Sequence, residues 1–149
     1  MLTPSILQTF EKSVLCWLAT ADASGQPNVS PKEIFAPFGR EQILIANIAS
    51  PQSLRNIRAN PKVCVSVLDI LVQKGWKLKG HARIVGKKES DFAHLAAPLL
   101  DMTGGKFPFN TLFAITIDQV KPIIAPRYHL YPETTEEDQI AAARVAYGI

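Results

Sequence analysis

The segment Gln42 to Leu68, QILIANIASPQSLRNIRANPKVCVSVL, constrains the fold more than any other part of the chain. Ile43 to Ile48 is an apolar run of strand length, and Asn47 is its only polar interruption. Ser50 then offers a hydroxyl N-cap. Pro51 suits the first helical position, where its missing N–H costs nothing, and Asn60-Pro61 stops the helix after about three turns. In the segment that follows, Lys62 to Leu68, Val63, Val65 and Val67 alternate with Cys64, Ser66 and Leu68, which predicts an interior strand with both faces largely buried. Free backbone N–H groups, the positive end of the helix dipole and the side chains of Ser50, Gln52 and Ser53 converge where the helix starts. That describes an anion site, most commonly taken by a phosphate. Taken alone, the same residues read as a plain N-cap.

The rest of the chain supplies partners for these strands. Thr3-Pro4 starts a short helix whose Ile6, Leu7 and Phe10 form an apolar stripe. Val14 to Thr20 reads as a strand, and Asp22 to Pro27 as a turn. Asn28 to Phe38 returns as the second arm of a hairpin, irregular around Ser30-Pro31-Lys32 because proline does not sit easily in a central ladder. Trp76 to Val85 alternates Lys77, Lys79, His81 and Arg83 with Leu78, Gly80, Ala82 and Ile84. Glu89 to Met102 carries Phe92, Leu95, Ala96 and Leu99 at helical spacing, with Pro98 expected to bend or shorten it. Leu112 to Ile117 is a last buried strand, and Thr135 caps a closing helix from Glu136 to Tyr147. Six strand-like segments with few helices predict a mainly β fold, an antiparallel barrel with peripheral helices, since closure removes exposed edges.

At 149 residues, one domain spanning 1–149 is expected. No apolar run approaches the roughly 20 residues that span a bilayer, and the N-terminus lacks a signal-peptide layout. A cytoplasmic protein with no membrane partner is therefore expected. Cys16 and Cys64 lie in apolar runs without metal-ligand spacing, so no metal site is expected. The basic alternation at Lys77 to Arg83 reads as a solvent-facing strand side, a small-ligand or subunit contact, or a nucleic-acid surface. The last lacks interleaved aromatics apart from Trp76, so no nucleic-acid partner is expected. Hydrolytic signatures are absent, and His81, His94 and His129 are scattered; any redox chemistry would come from a cofactor. Ser30 and Lys32, placed to point the same way across Pro31, form a second element friendly to anions.

Three segments in this order, WLATADASGQPNVSPKEIF, ILIANIASPQSLRNIRANPKVCVSVLD and GWKLKGHARIV, resemble the pyridoxamine-phosphate-oxidase-like, FMN-binding split-barrel proteins. The resemblance covers about residues 10–118, leaving a tail and helix over 119–149. It implies a six-stranded antiparallel split β-barrel forming a homodimer, with FMN in grooves at the subunit interface. It further implies an FMN-dependent oxidoreductase acting on a small-molecule substrate or taking electrons from a nicotinamide donor. The alternative on the same barrel is a non-catalytic flavin or haem carrier or sensor. Carried onto this chain, the flavin phosphate would be held by Gln52, Ser53 and Arg55 on the helix and by Ser30 and Lys32 on the strand around Pro31. Ala46, Asn47 and Ile48 would run past the isoalloxazine, and Trp76 and Tyr128 would approach from the partner subunit. Many relatives place arginine and lysine where this chain has Gln52 and Ser53, which implies a less charged phosphate site. Arg127 and His129 have the spacing of the substrate-gripping pair of true oxidases in different surroundings, so that activity is not carried over.

Overall fold

The computed structural model describes residues 1–149. The stripe of Ile6 and Phe10 forms on α1 (Pro4–Lys12), capped by the Thr3 hydroxyl. The strands are β1 (Cys16–Ala21), β2 (Pro27–Lys32), β3 (Phe35–Phe38), β4 (Gln42–Ala46), β5 (Lys62–Asp69), β6 (Lys74–Gly86) and β7 (Thr111–Ile124). They make one antiparallel sheet of seven strands, in the order β2-β1-β5-β6-β7-β4-β3. Helix α2 (Pro51–Ala59) joins β4 to β5, α3 (Phe92–Thr103) joins β6 to β7, and α4 (Pro126–Leu130) and α5 (Glu136–Tyr147) follow the sheet. No helix is long and apolar enough to cross a membrane.

Sheet order and chain order together dictate curvature. β2 and β3 lie at opposite edges of the sheet, yet only Glu33 and Ile34 separate them in sequence. Laid flat, edges six spacings apart would be about 29 Å from each other. The link from Lys32 to Phe35 reaches about 11 Å at most. The sheet must therefore curl until its edges approach, giving a half-barrel. At the end of the β3–β4 ladder the Ala46 N–H donates to the Ile34 carbonyl at 3.0 Å, one step beyond the Phe35–Ile45 pair, so the link between the edges begins at Ile34.

The same break explains why there are seven strands and not the six expected. The arm Asn28 to Phe38 is not one irregular strand. Its first half pairs with β1, Lys32 opposite Cys16, and its second half pairs with β4, Phe35 opposite Ile45. Pro27 and Pro31 are accommodated because β2 is an edge strand.

Alternation along the strands sorts side chains into two cores. Leu18, Ile43, Ile45, Val63, Val65, Val67, Leu78, Phe113 and Ile115 fill the interior beneath α1. Leu44, Ala46, Val85, Leu112 and Ala114 face the other way and pack under Leu95, Ala96 and Leu99 of α3. From Ile43 to Ala46 β4 is apolar and buried because both its faces are covered. β5 is covered on one face only: Cys64, Ser66 and Leu68 are half-buried, not largely buried as its alternation suggested.

Several boundaries differ from expectation, among them that of β1, which runs Cys16–Ala21 and not Val14 to Thr20. α3 begins at Phe92 because Glu89 is drawn into a turn, its carboxylate accepting from the Gly86 N–H at 2.6 Å. Pro98 lies inside α3 without ending it. β7 continues past Ile117 to Ile124, pairing Pro122 with Trp76, so the sheet extends beyond residue 118.

Between Lys79 and Gly80 the β6–β7 register shifts, and Asp118 becomes the extra residue of a bulge. A Cβ at Gly80 would overlap the Thr116 carbonyl oxygen, so the bulge requires glycine there. Gly80→Ala is expected to lower stability by about 2 kcal/mol, in the range of core overpacking. A chemical denaturation midpoint equal to that of the unmodified protein would contradict this.

Candidate functional site

The seam of the half-barrel brings the end of β2, the end of β4 and the start of α2 to one place. β2 keeps a regular pleat: Pro27, Val29 and Pro31 are exposed, while Asn28, Ser30 and Lys32 turn inward. Ser30 and Lys32 thus share a face through ordinary alternation, not through the irregularity expected around Pro31. The Ser30 hydroxyl makes only a long contact, 3.5 Å, to the Pro31 carbonyl.

Lys32 is the unusual residue. It is 6% exposed, and its ammonium donates to the Ser50 hydroxyl. No carboxylate pairs with it. Opposite it on β1, burial pushes the Cys16 thiol up to about 12, with Lys32 pulling the other way, so the thiol stays neutral at pH 7. Burial in turn lowers the Lys32 pKa below the ordinary lysine value of 10.5.

Ser50 does not cap α2 as expected. Its hydroxyl donates back to the Ile48 carbonyl at 3.0 Å and receives Lys32, and no side chain caps the helix. The turn that permits this holds Ala49 at φ +50°, a left-handed conformation costly for a residue with a Cβ. The first turn of α2 therefore keeps uncapped backbone donors beside a buried cation. Ser53 is 1% exposed, so its side chain lies inside the fold. Gln52 and Arg55 are exposed and engaged with one another. Arg55 Nη2 donates to Gln52 Oε1 at 2.8 Å, Gln52 Nε2 to Asn56 Oδ1 at 2.7 Å, and Asn56 Nδ2 to Thr20 Oγ1 at 2.9 Å. This relay ties the helix start to β1.

At the end of β4, Asn47 is held to Thr111 by its backbone N–H at 3.1 Å and by its Nδ2 at 2.8 Å. Its Oδ1 is buried without a partner. Beside it lies a cavity of about 220 Å³ lined by Pro31, Lys32, Glu33, Ile34, Ala46, Ile48 and Phe107. Pro31, Lys32, Ala46 and Ile48 were anticipated from sequence. Phe107 was not: it is 53% exposed on the loop after α3, where Gly104 and Gly105 adopt positive φ. An exposed phenylalanine in a glycine-containing loop is the signal that could have found it.

Trp76 and Tyr128 lie elsewhere in this chain. Trp76 lines a separate cavity of about 270 Å³ with α1 residues, Asp69, Lys74 and Glu136. The Tyr128 hydroxyl donates to the Val72 carbonyl at 2.7 Å, and Lys74 Nζ sits 4.4 Å from its ring centroid. Lys77, Lys79, His81 and Arg83 are exposed, with His81 paired to Asp118 at 3.1 Å and Arg83 to Glu89 and Asp91. No group of histidine, cysteine, aspartate and glutamate side chains is placed to hold a metal.

Residues 2–124 match the family profile described as pyridoxamine 5'-phosphate oxidase. Among solved structures, HupZ from Group A Streptococcus is similar at TM-score 0.69 and 21% identity, covering 80% of this chain and 92% of that one. HutZ, the haem storage protein from Vibrio cholerae, is similar at TM-score 0.66 and 20% identity, with coverages of 83% and 94%. An FMN-binding protein from Syntrophomonas wolfei is similar at TM-score 0.66 and 16% identity, with coverages of 81% and 88%. At these identities the likeness establishes the fold. No curated protein matches the sequence.

The buried cation makes a stability prediction with a definite sign. Because the folded pKa of Lys32 is depressed, the unfolded chain binds the proton more tightly, and the buried ammonium opposes folding below the folded pKa. That penalty fades as pH rises through the folded pKa toward 10.5. Lys32→Met is expected to stabilise the protein by about 1 kcal/mol at neutral pH, with the gain shrinking as pH approaches the unfolded lysine value. Denaturation series at several pH values test this; a variant less stable than the parent at pH 7 would contradict it.

Proposed function

The chain belongs to the pyridoxamine 5'-phosphate oxidase family, and on that premise we propose that it is an FMN-binding flavoprotein acting as an oxidoreductase on a small substrate. One observation carries this reading: a buried lysine with no acidic partner stands beside the uncapped start of α2, at the mouth of an apolar cavity. A buried cation of this kind calls for an anion, and helix N–H groups next to it suit a phosphate.

The remaining residues fit a phosphorylated ring system. The backbone donors of Gln52 and Ser53, with Lys32, Ser30 and Arg55, would hold the phosphate. Ala46, Ile48 and Pro31 offer apolar surface to a flat ring, and between Ala46 and Ile48 the buried Asn47 Oδ1 has no partner within the chain. When bound, FMN supplies the hydride and electron chemistry that no side chain here provides. The protein's part is to orient the ring against β4, exclude water with Ile34, Ile48 and Phe107, and balance the phosphate charge.

At about 220 Å³, the cavity is smaller than the roughly 300–1,000 Å³ typical of pockets for ligands of this size. A second copy of the chain would supply the other wall. The proposed assembly is therefore a homodimer with the cofactor at the interface, Trp76 and Tyr128 being the groups assigned to the partner side. A small-molecule substrate or nicotinamide donor would stack on the open ring. The free thiols Cys16 and Cys64 suit a reducing compartment such as the cytoplasm.

Haem, the cargo named for HutZ, suits this cavity less well. Neither His81, His94 nor His129 lines it, so the commonest axial ligand to haem iron is missing from its wall. Titration with FMN is expected to quench flavin fluorescence and perturb the visible flavin bands, and NADH or NADPH to bleach them. Lys32→Met is expected to weaken FMN binding about tenfold or more, equivalent to about 1.4 kcal/mol. Protein saturated with FMN that shows neither bound chromophore nor quenching would refute the proposal.

A further inference from the structure

The basic alternation of β6 lies on the outer face of the sheet, and the cofactor reading leaves it unused. Register places Pro31, Trp17, Ser66, Lys77 and Lys121 in one row across β2, β1, β5, β6 and β7. Val29, Ala19, Cys64, Lys79 and Gln119 form the next row. One half of each row is apolar, and the other is cationic or polar. Trp17 is 47% exposed and Val29 59%, so nothing in the chain covers the apolar half. Lys77, Lys79 and Lys121 are exposed and make no ion pair, and Lys77 stands directly opposite Lys121. Like charges facing one another across two strands repel.

We propose that two copies of the chain meet through this face, with Lys77 of each lying over the Trp17 indole of the other. The proposal rests on the homodimer reading above and supplies its contact surface and its axis. Two identical faces meet through a two-fold axis lying in the plane of contact. An axis across the strands would set β6 on β6, with lysines against lysines. An axis along β1 would set Trp17 on its own copy and leave Lys77 without a partner. An axis along β5 sets β1 over the partner's β6 and β2 over its β7. Each Trp17 then receives the partner's Lys77, and Pro31 is covered by the aliphatic stem of the partner's Lys121. The charge pattern therefore selects the axis along β5, which gives the unpaired lysines aromatic and apolar partners and takes an exposed tryptophan out of water. The partner's β7 also comes to lie beside the cavity that Pro31 lines.

The test is analytical ultracentrifugation of the full chain without added flavin, each variant first matched to the parent by circular dichroism. The parent is expected to sediment as a dimer. Trp17→Lys is expected to give monomers by setting lysine on lysine, and adding Lys77→Glu to it is expected to restore the dimer. Lys77→Ala, at an exposed position, is expected to raise the dimer dissociation constant about tenfold or more, since two symmetric cation–π contacts are lost. A dimeric parent whose Trp17→Lys and Lys77→Ala variants dissociate no more readily would overturn the proposed face and leave the homodimer standing. Loss of the dimer in Trp17→Lys that Lys77→Glu does not repair would overturn the axis. A single-stranded oligonucleotide held by the intact dimer and released by Lys77→Ala would show the face to be open, and so overturn the proposal. A monomeric parent would overturn face and homodimer alike, while FMN binding, read by fluorescence quenching, stands or falls separately.

Discussion

The two-residue link between β2 and β3 is the constraint on which the rest of the molecule depends. Because Glu33 and Ile34 join the opposite edges of one sheet, the sheet cannot lie flat. Curling it brings the inward face of β2 to the start of α2, where the Lys32 ammonium meets the Ser50 hydroxyl. The interior core under α1 and the second core under α3 follow from the same curl, since β4, the first half of β7 and the end of β6 at Val85 then have a covered surface on each side. The cavity is the gap left where the edges approach without completing a ladder.

The seam also accounts for the electrostatics. On an open edge strand Lys32 would be solvated and unremarkable. Closed against β1 and α2, it loses water and gains only a serine hydroxyl and a neutral thiol as neighbours. A fold that tolerates such a group gives up stability at that position, and functional sites commonly make that exchange. Ala49 in a left-handed conformation and the unpartnered Asn47 Oδ1 lie within the same few residues. Two local departures from the rules of stable folding on the β4–α2 connection, set against a buried lysine at the end of β2, mark this corner of the sheet.

The C-terminal segment is tied to the opposite part of the structure. Tyr128 bonds the Val72 carbonyl, and Lys74 pairs with Glu136 at 2.9 Å, which fixes α4 and α5 to the turn between β5 and β6. The capping box of Thr135 and Asp138 starts α5 as the sequence pattern suggests. This segment leaves the β2–β4 seam untouched, so within one chain Trp76 and Tyr128 stand apart from the cavity at Lys32.

Much of this was legible from local signals. The strand–helix–strand segment, the stop at Asn60-Pro61, the alternation of β6 and the capped last helix each follow from periodicity, proline placement and capping chemistry, which act over a few residues. The family resemblance, carried by three ordered segments, pointed to the barrel and to Lys32, Ala46 and Ile48 as neighbours. Other features were not local. Whether Asn28 to Phe38 is one strand or two depends on which edges it pairs with. Whether Ser50 caps its own helix depends on a lysine eighteen positions away. Phe107 enters the cavity wall only because α3 returns the chain across the sheet. The sequence by itself determined the elements and the chemistry available to them. Tertiary closure decided which residues lost their water, and burial, not residue type, turned an ordinary edge lysine into a desolvated cation on the wall of a cavity.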